Sequence, residues 1–171
     1  NDTVDVLSEN CITILKNLPA KIYTINAGPQ GQMFLKEHNF IFNNRKIYRD
    51  LNNKVQRIFK TYESRDKNLG VLLSGLKGTG KSLLIKLCIE RAIEDNIPVI
   101  LVNQKINLNK FSDFIKKIDE KVVCIFDEFD KFSYENTDDC EMDSGKENQF
   151  GLLGLLDGIN EHKNLYLFSC N

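Results

Sequence analysis

Four short runs of uninterrupted apolar residues restrict this chain more than anything else in it: VLL at 71–73, VILV at 99–102, VVCIF at 122–126 and LYLF at 165–168. A strand with one face in water alternates polar and apolar residues. A strand that is apolar throughout must be covered on both faces. Helical segments separate these runs. KSLLIKLCIERAIEDN (81–96) stops before Pro98. KFSDFIKKID (110–119) carries Phe111, Ile115 and Ile118 on one face, and NQFGLLGLLDGIN (148–160) precedes the last run. Buried strands alternating with helices predict an α/β fold, a parallel sheet with helices on both faces.

The first third reads differently. Residues 20–42 hold β-prone runs around the turn AGPQGQ, which predicts a hairpin or small meander. From residue 47 the period changes, and Leu51, Val55, Ile58, Phe59 and Tyr62 recur at helical spacing, so an amphipathic helix is expected over about 49–64. We therefore divide the chain into a β-rich segment, 1–46, and an α/β core, 47–171.

Charge and cysteines exclude several classes. The formal charge is −1, so no global basic surplus calls for nucleic acid or an anionic membrane. No apolar run approaches the length of a membrane span. The five cysteines, Cys11, Cys88, Cys124, Cys140 and Cys170, form no C-x-x-C pair. Cys88, Cys124 and Cys170 lie among apolar neighbours and read as core residues of a protein in a reducing cytosol. The acidic stretch SYENTDDCEMDSGKEN (133–148) is poor in apolar residues and is expected to be a mobile insertion.

GLKGTGKS (75–82) stands between the first apolar run and the following helix. It fits G-x-x-x-x-G-K-[ST] in the strand–loop–helix setting that the pattern requires. Gly75, Gly78 and Gly80 free the backbone so that main-chain N–H groups of the loop, through Leu76, Lys77, Thr79 and Leu83, can reach phosphate oxygens. The helix N-terminus adds a favourable dipole. Lys81 is expected on the β- and γ-phosphates, and the Ser82 hydroxyl on Mg²⁺. VVCIFDEFD ends a buried strand in acids. Asp127 then suits a Mg²⁺ ligand, and Glu128 a general base for the attacking water. Asn171 closes the last strand with an amide able to contact the γ-phosphate and that water.

In this order and spacing GLKGTGKS, CIFDEFD, LLGLLDGIN and LYLFSCN resemble the core of an AAA+ ATPase. The upstream hairpin, the KIYRD segment and the helix before NLGVLLSGLKGTGKS are similar to AAA-type ATPases of tailed phages. The LLDG feature is shared with mitochondrial translocase AAA proteins. The resemblance implies a P-loop NTPase (AAA+) fold using ATP and Mg²⁺, with catalytic roles for Lys81, Glu128 and Asn171. It places Ile47 and Tyr48 beside the adenine and has Asp130 orient a neighbouring subunit's arginine. A homo-oligomeric ring, a hexamer first of all, is implied, in the cytoplasm or in a host's cytoplasm for a phage protein.

Two departures accompany the resemblance. The family's fifth strand, arginine fingers and helical lid have no counterpart here, so the sheet is expected to be incomplete and the 171 residues part of a longer polypeptide. The segment NQKINLNKF (103–111) lacks the aromatic–apolar–Gly pore loop of protein-threading relatives. Three functions stay open: a ring-forming remodelling ATPase acting on a protein or protein–nucleic-acid complex, a helicase- or clamp-loader-like ATPase, and a nucleotide-binding scaffold without turnover. Lysines over 105–117 keep the second open, and Glu128 argues against the third.

Overall fold

Three of the four apolar runs become the middle of one sheet; VLL, expected to be covered on both faces, instead lies in an edge strand where Leu72 is exposed. In the computed structural model of the chain, residues 17–28, 32–39, 49–130, 144–157 and 162–170 are described. The strands are β1 (Ile22–Ala27), β2 (Met33–Glu37), β3 (Leu69–Ser74), β4 (Val99–Val102), β5 (Val123–Phe126) and β6 (Leu165–Cys170). Their order across the sheet is β2-β1-β4-β5-β6-β3. All neighbours run parallel except the β1–β2 hairpin. The fold is thus α/β with a mostly parallel sheet, as the alternation of buried runs and helices predicts.

The hairpin extends this sheet: β1 lies parallel to β4, with Ile22 opposite Val99. The boundary placed at residue 46 lies outside the described residues. β3 occupies the far edge and pairs with β6 in register from Leu69↔Leu165 to Ser74↔Cys170. Among the described residues β6 is its one partner.

Among the described residues four helices cover the sheet: α1 (Arg49–Glu63), α2 (Lys81–Glu94), α3 (Leu108–Ile115) and α4 (Ser144–Asp157). Side chains alternate across a strand, and the two faces feed two cores. Val123, Ile125, Leu165 and Leu167 pack with Val55 and Phe59 of α1 and Leu84, Cys88 and Ile89 of α2. Cys124, Phe126, Tyr166 and Phe168 pack with Phe111 and Ile115 of α3 and Leu155 of α4. Phe126 stacks on Phe168 at 5.0 Å and meets Phe111 edge-on at 5.4 Å. α3 and α4 approach closely at Gly151, where a Cβ would stand 2.6 Å from Leu108 Cβ.

The starts of two helices differ from the sequence reading. α3 begins at Leu108, two residues earlier than expected, because the Asn107 side chain accepts the Lys110 N–H at 3.0 Å and caps the helix there. α4 begins at Ser144, inside the stretch read as an insertion. Residues 133–143 of that stretch, with Cys11 and Cys140, lie outside the described residues. Cys88 and Cys124 are fully buried and Cys170 is half-buried; all three are free thiols. Burial pushes the Cys88 thiol up to about 12 and raises that of Cys124 as well. Among the described residues no helix is long and apolar enough to cross a membrane.

Candidate functional site

In a parallel sheet the loops after the strands gather at the carboxyl ends. Here β5, β6 and β3 are consecutive neighbours. The acid turn after β5, the tip of β6 and the glycine loop after β3 therefore meet at one end of the sheet.

The glycine loop is exposed along most of its length. Gly78 and Gly80 have φ of 86° and 92°, left-handed values that side chains with a Cβ rarely take. Gly80 is also the N-cap of α2 and supplies no side-chain hydrogen bond. The first N–H groups of α2 therefore have no side-chain cap, an arrangement suited to an anion. Within the loop the Thr79 hydroxyl donates to the Leu76 carbonyl at 2.8 Å. The Lys81 ammonium donates to the carbonyls of Gly75 and Leu76, the latter at 3.1 Å. Ser82 is exposed and Leu83 half-buried in the first turn of α2.

Asp127 and Glu128 follow the last residue of β5 and are both exposed. Glu128 has φ 55°, an uncommon left-handed value for a residue with a side chain. The turn is tied to β6. The Ser169 hydroxyl donates to Asp127 Oδ1 at 2.6 Å and accepts the Glu128 N–H at 2.9 Å. The Phe129 N–H donates to the Ser169 carbonyl at 2.7 Å. Next to Ser169, burial first and then the Asp130 carboxylate raise the Cys170 thiol, while the Asp130 backbone bond and Lys81 act against them. The β6 tip thus feels both the acid turn and the loop lysine. Asp130 Oδ1 is buried and has no hydrogen-bond partner among the described residues.

The structure therefore brings Gly75, Leu76, Lys77, Gly78, Thr79, Gly80, Lys81, Ser82 and Leu83 into one loop and helix start. It puts Asp127 and Glu128 in the turn after β5, the strand two positions away across the sheet. Ile47, Tyr48 and Asn171 lie outside the described residues. Ser169 was not singled out from the sequence, although a hydroxyl in the otherwise apolar LYLFSC was a usable signal. A cleft of about 580 Å³ opens at the opposite end of the sheet, among Phe59, Tyr62, Pro98, Asp119, His162 and Lys163. It touches none of the residues named for the phosphate-loop end.

A hydroxyl and a single carboxylate are hard oxygen donors. They suit a small cation that keeps water and phosphate as its other ligands. No group of three or more His, Cys, Asp or Glu that could hold a metal ion converges among the described residues.

The family model described as "Protein of unknown function (DUF815)" matches residues 37–145. No curated protein and no solved structure matches the chain.

Proposed function

From the premise that the chain belongs to the DUF815 family, we propose that it binds ATP with Mg²⁺ and hydrolyses it, as an AAA+ ATPase of the kind its motifs resemble. One observation carries this reading. A loop with left-handed Gly78 and Gly80 opens into a helix N-terminus without a side-chain cap, and an acid-bearing strand end stands one strand beyond its β6 neighbour.

The loop amides and the α2 N-terminus would take the phosphates, and Lys81 their β- and γ-oxygens. Ser82 and Asp127 would hold Mg²⁺, which neutralises charge on the phosphates when bound. Glu128 would draw a proton from the attacking water. Asn171 is assigned to the γ-phosphate and Ile47 and Tyr48 to the adenine by the resemblance alone. The resemblance likewise supports a homo-oligomeric ring, a hexamer first of all, in which a neighbour's arginine meets Asp130. It also supports a protein or protein–nucleic-acid substrate, a cytoplasmic setting and a phage origin.

Calorimetric titration with MgATP tests the core of the reading. Lys81→Ala removes the ammonium and is expected to weaken binding at least tenfold, since a hydrogen bond to a charged group contributes about 1.5–3 kcal/mol. Equal affinity in both proteins would overturn it.

A further inference from the structure

We propose that Ser169 is a positioning residue that fixes the direction of the Asp127 carboxylate and the conformation of Glu128. This role rests on the nucleotide reading above.

Ser169 is 3% exposed and follows Leu165, Tyr166, Leu167 and Phe168, all buried. A buried hydroxyl must find partners or destabilise its strand. Ser169 finds them in the acid turn. A backbone amide can donate but not accept, and an ionised carboxylate can accept but not donate. The hydroxyl proton is therefore committed to Asp127 Oδ1, at 2.6 Å, and an oxygen lone pair to the Glu128 N–H, at 2.9 Å. The hydroxyl has one proton to give, so the two bonds fix its orientation.

The bonds bear on the least favourable backbone in the turn. Glu128 sits at φ 55° without being glycine, a conformation that persists where its surroundings hold it. Ser169 holds it from both sides, through the Glu128 N–H on the hydroxyl and the Phe129 N–H on the Ser169 carbonyl. At the same time Asp127 Oδ1 is tied, so rotation of its carboxylate is restricted and its second oxygen keeps one direction.

Ser169 also stands opposite Leu73 of β3, two residues before Gly75. It therefore joins the strand that leads into the glycine loop to the turn that carries the acids. A cation held between Ser82 and Asp127 needs those two elements at a fixed separation. The register of β3 on β6 and the hydroxyl of Ser169 together provide one.

The test uses the full chain as wild type, Ser169→Ala and Ser169→Thr. Without nucleotide, amide hydrogen exchange at Glu128 should be faster in Ser169→Ala and return towards the wild-type rate in Ser169→Thr, which restores the hydroxyl. With MgATP, kcat should fall about tenfold to a hundredfold in Ser169→Ala, the scale of one lost hydrogen bond to a charged group. KM for ATP should stay near the wild-type value, half-maximal turnover should need more Mg²⁺, and Ser169→Thr should recover most of kcat. Should Ser169→Ala not fold, Ser169→Cys, close in size and a poor donor, is read in the same way.

Wild-type kcat and Mg²⁺ dependence in Ser169→Ala, with ATP bound normally, would overturn the role of Ser169 and leave the nucleotide reading intact. A fall in kcat with the Glu128 amide as protected as in wild type would overturn it too, since the clamp would then be unbroken. Failure of the wild type to bind ATP would overturn the nucleotide reading, and this role with it.

Discussion

The two ends of the sheet are built in opposite ways. At the amino ends of the strands, side chains stitch the chain shut. Asn164 is 3% exposed; its side-chain oxygen accepts the buried Val122 N–H at 3.0 Å, and its own N–H donates to Asn68 Oδ1 at 2.8 Å. Asn68 in turn donates to the Leu155 carbonyl at 2.8 Å, the Tyr62 hydroxyl donates to the Lys163 carbonyl, and Lys163 caps the end of α1 through Glu63 and Arg65. At the carboxyl ends the backbone takes left-handed turns at Gly78, Gly80 and Glu128, and Ser82, Asp127 and Glu128 are exposed. Side-chain hydrogen bonds tie the first end together. The other gives up local stability to display backbone amides and acids, where ligand-binding segments are commonly drawn from.

If this division is right, substitutions at the two ends should separate stability from chemistry. The largest effect is expected at the acid turn. Glu128→Gln should lower ATP turnover about 10²- to 10⁴-fold through loss of the base, with ATP affinity and urea midpoint unchanged. Turnover at the wild-type rate removes Glu128 from the chemistry, and a shifted midpoint breaks the separation of the ends.

The stitched end should respond in the other way. Asn164→Ala strands the buried Val122 N–H and should cost about 2–3 kcal/mol in urea unfolding, with ATP affinity of the folded protein unaltered. Weaker ATP binding with unchanged stability would reverse the assignment of the two ends.

Burial in the α1–α2 core supplies a pH test. The Cys88 thiol is pushed from 9.0 up to about 12, and burial, with Cys124 acting in the same sense, takes the Tyr62 phenol from 10.0 up to about 12. Both groups hold their protons more tightly folded than unfolded, so their contribution is complete below pH 9 and is lost as pH rises towards 12. Stability should fall above pH 9 for Cys88 and above pH 10 for Tyr62, by up to about 1.4 kcal/mol per pH unit for each group. Cys88→Ala should make the decline shallower, as read by urea unfolding between pH 8 and 10.5. An equally steep decline in that variant would remove Cys88 from the linkage.

The smallest effect belongs to the glycine loop. A Cβ at Gly78 would meet nothing within 4 Å, so Gly78→Ala carries a backbone cost alone, about 1–2 kcal/mol at φ 86°. ATP affinity should suffer more than the urea midpoint. A midpoint loss as large as that of Asn164→Ala would show that the loop supports the fold as well.

Much of this was legible in the sequence. VILV and VVCIF are apolar throughout because both of their faces are covered, and that pattern is local. The glycine loop was legible because its residue types answer to backbone angles found at Gly78 and Gly80. What escaped depended on partners distant in the chain. Nothing in IYTINA says that β1 will lie against β4, because strands choose neighbours through the whole sheet. Asn164 was not singled out from the sequence, and its partners Asn68 and Val122 lie 96 and 42 residues away. Ser169 likewise takes its meaning from a turn 41 residues upstream.

The bonds from Lys81 to the Gly75 and Leu76 carbonyls have a kinetic corollary. If phosphate is the ligand, it competes with the loop's own backbone for this ammonium. The apparent dissociation constant is then the intrinsic one divided by the fraction of molecules whose lysine has let go. Because side-chain release is fast, nucleotide association should be slowed by that same fraction, and a chain that held its lysine less firmly would bind faster without gaining a single contact.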